Sequence, residues 1–305
     1  MRILVLGAAG MIGRKLAERL ARDGEHAKLV DAVAAPGIVV ADLAEPGAAD
    51  DLVADRPDVI FHLAAVVSGE AEADFEKGYR VNLDGTRRLL EAIRALDGYR
   101  PRLVFTSSIA VFGAPFPDPI GDDFRATPLT SYGTQKAIAE LLLADYSRRG
   151  FLDGIGLRLP TITVRPGKPN LAASGFFSSI IREPLNGREA VLPVPETVRH
   201  WHASPRSAVG FLLHAATLDT APLGARRSLA MPGVSVTVGE QIDALRRAAG
   251  DEAVGLIRHE PDETIARIVE GWPRSFDPRR ALDLGFRAES SFDEIVRAYI
   301  EDDLG

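Results

Sequence analysis

The chain has 305 residues, of which 46% are hydrophobic and 26% charged, with a net charge of −7 and no cysteine. A chain of this length buries about three quarters of its unfolded surface, which excludes a small stapled scaffold. The acidic balance without a basic cluster excludes a surface that neutralises nucleic-acid phosphates. The lack of cysteine excludes disulfides and thiolate chemistry, and the lack of a long apolar run excludes a membrane span.

Arg2 followed by the apolar stretch from Ile3 to Ile12 has the look of a secretion signal, but the charged, helical RKLAERLARDGE follows with no small-residue cleavage site. A cytoplasmic protein is expected. Over the first 160 residues, short β-branched runs alternate with amphipathic stretches, the pattern of an α/β protein with a Rossmann-like, doubly wound parallel sheet. Strands are predicted at 3–6, 28–30, 39–41, 59–62, 103–106 and 155–159. Helices are predicted at 11–22, 75–95 and 131–149.

After Pro160 the Pro- and Gly-punctuated TITVRPGKPN reads as a loop leaving the sheet. Further helices are expected at 175–185, 238–248, 262–271 and 292–302. The predicted organisation is a dinucleotide-binding domain over 1–160, rejoined by about 204–235, and a smaller C-terminal substrate-binding part made of 161–203 and 236–305.

Gly7, Gly10 and Gly13 stand at three-residue spacing straight after the first strand, with Met11 and Ile12 opening the helix. Glycine permits a tight turn and lets backbone N–H groups at a helix N-terminus approach a pyrophosphate. Asp31 ends the next strand, where a carboxylate holds a ribose 2′-hydroxyl and repels a 2′-phosphate; with no arginine directly after it, NAD is expected over NADP. Asp42, with Leu43 after it, is a candidate for the adenine end, and Leu63, Ala64 and Ala65 for the ribose and pyrophosphate. His62, inside an apolar run, reads as a core histidine.

Tyr132 and Lys136 stand at i and i+4, so a helix places them on one face. A free tyrosine is a poor base near neutral pH, and an adjacent ammonium favours its phenolate. Upstream, the strand LVFT runs into Ser107 and Ser108 at its C-terminal end, where open α/β sheets bind their ligands.

The glycine turn, FHLAA at 61–65, NLDGT at 82–86, TSSIAVFG at 106–113 and Tyr132-x-x-x-Lys136 follow one another as in the extended short-chain dehydrogenase/reductase superfamily, which residues 1–166 resemble. The resemblance implies a catalytic triad of Ser108, Tyr132 and Lys136, with Ser107, Tyr132 and Lys136 also at the cofactor. It further implies Asn82 as the link between the active-site helix and the sheet, and Pro160 against the nicotinamide. Phe112 departs from the tyrosine usual in the sugar-nucleotide epimerases of this group. The downstream sequence resembles a branch that oxidises the C2 hydroxyl of a four-carbon sugar acid with NAD.

For such an acid, Arg165, Asn170, Ser174 and Arg199 are the candidate carboxylate-binding residues, beside Ser108 and Tyr132. ETVRHWHASP at 196–205, with His200 and His202, reads as an aromatic-rich loop over the cleft rather than a metal pair. No metal is expected, and a homodimer is expected by analogy with related folds. The alternatives are a nucleotide-sugar 4-epimerase or dehydratase with tightly bound NAD, and a non-catalytic NAD-sensing regulator.

Overall fold

The computed structural model describes residues 1–167 and 173–304. Two compact units are formed: Met1–Val111 with Pro128–Leu159 and Val209–Leu229, and Phe112–Thr127 with Pro160–Ala208 and Ala230–Gly305.

The first unit is built on a seven-stranded sheet. From one edge to the other its strands are Ser228–Ala230, Asp153–Leu159, Arg102–Ser108, Val59–His62, Ile3–Leu6, Ala27–Asp31 and Val39–Val40. Every pairing from Asp153–Leu159 to Val39–Val40 is parallel. Apart from the edge strand Ser228–Ala230, the order from Val39–Val40 across the sheet is that of a Rossmann fold, third-second-first and then outward from Val59–His62. The order of winding therefore reverses between Ile3–Leu6 and Val59–His62, and the C-terminal ends of these neighbouring strands flank the crevice where such sheets bind ligands. Both strands are buried along their whole length, as continuous apolar runs in a parallel sheet require.

The expected helix 11–22 forms as Met11–Arg22, and 131–149 as Ser131–Arg148 with Thr130 capping the Gly133 N–H at 3.1 Å. The single helix expected at 75–95 is instead Phe75–Gly78, a π-helical turn at Tyr79–Asp84, and Gly85–Ala95. The wide turn is occupied by Asn82, whose side chain bonds away from the helix to the Val66 backbone.

The second unit has a core of its own. Phe176, Phe177, Ile180 and Ile181 of the helix Gly175–Leu185 pack with Ile242 and Leu245 of Val238–Val254 and with Ile295 and Val296 of Phe292–Asp303. The second of these helices runs past the expected end at 248 because a kink at Gly250, with φ 80°, joins a further turn. Phe112 belongs to this unit: it is 4% exposed, and its ring packs against Phe124 and Phe276 at 5.8 and 5.7 Å between centroids. Ile120–Gly121 pairs in parallel with Phe276–Asp277, a contact across more than 150 residues that no local pattern announces.

Within the loop expected around His200 and His202 the chain forms a strand, Arg199–Ala203, antiparallel to Val234–Thr237 and parallel to Thr161–Ile162. Strand alternation sends both His200 and His202 inward, where they are 2% and 0% exposed. His200 Nδ1 donates to the Pro273 carbonyl at 2.8 Å and its Nε2 meets the Thr161 hydroxyl at 2.7 Å; His202 Nδ1 lies 3.1 Å from the Thr163 hydroxyl. Burial lowers the His200 pKa to about 4 and drives that of His202 well down, and burial with the Lys136 charge lowers that of His62 to about 3.

Such histidines refuse protons that the unfolded chain accepts below its own pKa of about 6.5, so folding free energy is lost as pH falls from 6.5 toward 4. Each costs about 1.4 kcal/mol per pH unit well inside that window. Urea unfolding at pH 5 is therefore expected to give a stability several kcal/mol lower than at pH 7. Equal stabilities would mean that these imidazoles are charged in the folded protein.

Candidate active site

The turn after Ile3–Leu6 is shaped by glycine at two positions in particular. Gly7 has φ +87°, and a Cβ there would lie 2.6 Å from the Ala64 nitrogen and 2.7 Å from the Leu63 carbonyl carbon. The 63–64 backbone thus seats directly on Gly7, which leaves no room for a side chain at that position. At Gly13 a Cβ would fall 2.2 Å from the Gly7 carbonyl oxygen, so the helix closes over its own turn.

Gly10 caps the helix Met11–Arg22 without a side-chain bond, and no acidic residue occupies the first turn. The backbone N–H groups there and the positive end of the helix dipole suit a pyrophosphate. The Asp31 carboxylate is fixed beside this turn, accepting from the Ala9 N–H and the Val33 N–H, both at 2.9 Å. Its remaining lone pairs can accept ribose hydroxyls. These features match a dinucleotide, and the Asp31 carboxylate would repel a 2′-phosphate. Asp42 closes a turn onto the Ala44 N–H at 2.9 Å and pairs with Arg80 at 3.0 Å, while Leu43 is buried against Gly85.

The catalytic candidates gather on the neighbouring strand and helix. Lys136 is 2% exposed, donates to the Thr106 carbonyl at 2.8 Å, and lies 5.7 Å from the centre of the Tyr132 ring and 4.7 Å from that of Phe105. Burial lowers its pKa to about 8, against the opposing pull of Glu140. Ser108 ends the strand Arg102–Ser108 and accepts the Ala110 N–H at 3.1 Å, leaving a hydroxyl rotor that can turn toward a ligand oxygen. Gly133 brings the helix down on this strand end: a Cβ there would sit 2.1 Å from the Ala110 carbonyl oxygen. Its position between Tyr132 and Lys136 was the available signal for that approach, and sequence reasoning passed over it.

Asn82 joins the two halves of the site. Its Oδ1 accepts the Val66 N–H at 2.9 Å, and its Nδ2 donates to Gln135 on the Tyr132 helix at 2.7 Å. Next to it, Thr86 donates to the Asn82 carbonyl, so His62 Nε2, 2.9 Å away, donates to Thr86, while burial and the Lys136 charge disfavour protonation of the ring. His62 is 1% exposed and packs on Phe105.

Of the candidates in the second unit, Arg165 and Ser174 come together at 3.0 Å from Nη2 to Oγ, and Arg165 Nε also donates to the Ile162 carbonyl. Arg199 is held elsewhere, by the Ser235 carbonyl at 3.0 Å and the Glu240 carboxylate at 3.3 Å. Pro160 follows the strand Asp153–Leu159 directly and is buried, and Asn170 lies outside the described residues.

The profile of the NAD dependent epimerase/dehydratase family matches residues 3–203. The chain belongs to this family. Proteins that resemble the chain along its whole length include one named D-erythronate dehydrogenase from Cupriavidus necator, 47% identical over 99% of this chain and 98% of that protein. A second, of the same name and from Haemophilus influenzae, is 42% identical over the full length of both. Among solved structures, one described as the nucleoside-diphosphate-sugar epimerase from Agrobacterium tumefaciens has a TM-score of 0.97 and 64% identity, covering 100% of this chain and 95% of that one. This member of the NAD dependent epimerase/dehydratase family is an NAD-dependent oxidoreductase, and NAD is its cofactor.

Proposed function

We propose that this enzyme oxidises the C2 hydroxyl of a four-carbon sugar acid, D-erythronate, to 2-dehydro-D-erythronate. The observation that carries the reading is the buried Lys136 ammonium beside Tyr132, in a chain whose full-length relatives bear the name of that dehydrogenase. Tyr132 as phenolate takes the proton of the C2 hydroxyl. The ammonium of Lys136 favours that phenolate, and the Ser108 hydroxyl donates to the oxygen as it becomes a carbonyl. When bound, NAD accepts the hydride that leaves C2.

Gly7, Gly10, Met11, Ile12 and Gly13 hold its pyrophosphate in this reading, Asp31 its adenine ribose, and Asp42 and Leu43 its adenine. Leu63, Ala64, Ala65, Asn82, Ser107 and Pro160 line the rest of its path. The part formed by 161–203 and 236–305 holds the acid, and Arg165, fixed by Ser174, is the residue offered to its carboxylate, with Asn170 and Arg199 as further candidates. The enzyme acts in the cytoplasm as a homodimer; exposed Phe75 and Leu141, on the helices Phe75–Gly78 and Ser131–Arg148, support pairing there.

The test is NADH formation at 340 nm over a panel of four- to six-carbon aldonic acids, with NAD and NADP. Fast reduction of NAD, and not NADP, by D-erythronate is expected. A second reading, a nucleotide-sugar epimerase, draws on the description of the Agrobacterium structure. A silent panel with NAD retained through purification would replace the first reading by the second.

A further inference from the structure

The buried carboxylate of Glu140 is used by nothing in the mechanism above. It stands one helical turn beyond Lys136 on Ser131–Arg148 and is 6% exposed. Ser107 donates to its Oε1 at 2.5 Å, and Arg158 donates from Nε at 3.0 and 3.1 Å and from Nη2 at 2.7 Å. Ser107 and Arg158 are register partners on Arg102–Ser108 and Asp153–Leu159. One carboxylate therefore ties the Tyr132 helix to two adjacent strands, at the residue preceding Ser108. A buried ion pair gives little net stability over an apolar replacement, but a pair satisfied to this degree fixes geometry.

We propose that Glu140 is a positioning residue of the reaction, its buried carboxylate tying Ser107 and Arg158 to the Tyr132 helix and standing as the anion one helical turn from the Lys136 ammonium. This rests on the assignment of Tyr132 and Lys136 to the chemistry. The charged and titratable groups facing Lys136 are Glu140 and Tyr132 on its own helix and His62 on Val59–His62, with Arg158 behind Glu140. Desolvation works against the ammonium, and Glu140 is the anion that opposes it. Without that anion Lys136 loses its proton at lower pH, and the alkaline limb of turnover moves down with it.

The chain has five lysines, so 15Nζ-lysine NMR can follow each through a pH titration, with Lys136→Met giving the assignment. The midpoint of Lys136 is expected near 8 in the native protein. In Glu140→Gln it is expected about one unit lower, with the alkaline limb of kcat shifted equally; Glu140→Asp restores most of the shift. Arg158→Gln, which keeps the carboxylate, leaves the midpoint at or above its native value. An unchanged midpoint in folded Glu140→Gln overturns the proposal. Should that variant not fold, a lowered midpoint in Arg158→Gln does so instead. Full turnover in Tyr132→Phe would remove the catalytic reading while leaving the NMR result intact, so the two failures are told apart.

Discussion

Tyr132→Phe is expected to lower kcat by about a thousandfold while leaving NAD affinity within about twofold, because only the phenolic oxygen is lost. The aromatic ring over the Lys136 ammonium survives the change, as does the helix capped by Thr130. The glycine turn after the first strand is not touched, since that turn rests on Gly7, Gly13 and the backbone at 63–64. Isothermal titration with NAD and single-turnover reduction at 340 nm separate the two quantities. A variant that keeps a tenth or more of native turnover would end the phenolate role, and one that loses NAD binding in proportion would place Tyr132 in the cofactor pocket alone.

Gly7→Ala should be among the most damaging single methyl groups in the first unit. Two penalties coincide there: φ +87° is unfavourable for any residue with a Cβ, and the new carbon would stand 2.6 Å from the Ala64 nitrogen, which is backbone and cannot swing away. Together they should cost about 3 kcal/mol or more and displace the strand ends that frame the crevice, so NAD binding fails with stability. Gly37→Ala is the matched control. Its φ is +74°, but a Cβ would meet nothing within 4 Å, and a loss of only about 1 kcal/mol is expected with NAD affinity retained. Thermal unfolding of the two variants side by side, with and without NAD, checks the comparison. Equal losses would show that positive φ, and not the seating of residues 63–64, is what the glycine serves.

Sequence patterns reach furthest where the structural constraint is local. The strand at Ile3–Leu6, the helix at Met11–Arg22 and the Tyr132 helix were legible because a buried strand is an unbroken apolar run and a helix repeats its apolar face every three or four residues. The spacing of Gly7, Gly10 and Gly13 and of Tyr132 and Lys136 was legible for the same reason, since each set acts within one turn or one helical face. The histidines at 200 and 202 were misplaced in a loop because the strand that holds them is partnered by Val234–Thr237 and Thr161–Ile162, and is buried on a face that its own five residues do not reveal.

By itself the sequence determined the α/β class, the glycine turn after the first strand, the acidic residue that ends the second strand and the Tyr–Lys pair. All of these depend on contacts within a few residues of one another. Only the tertiary structure decided that Phe112–Thr127 joins the second unit, that Arg165 is held by Ser174 while Arg199 is held by Glu240, and that Glu140 joins Ser107 and Arg158 behind Lys136. Each of these brings together side chains from separate elements. Which carboxylate meets which guanidinium is set by strand order and register across the fold, and no spacing along the chain records it.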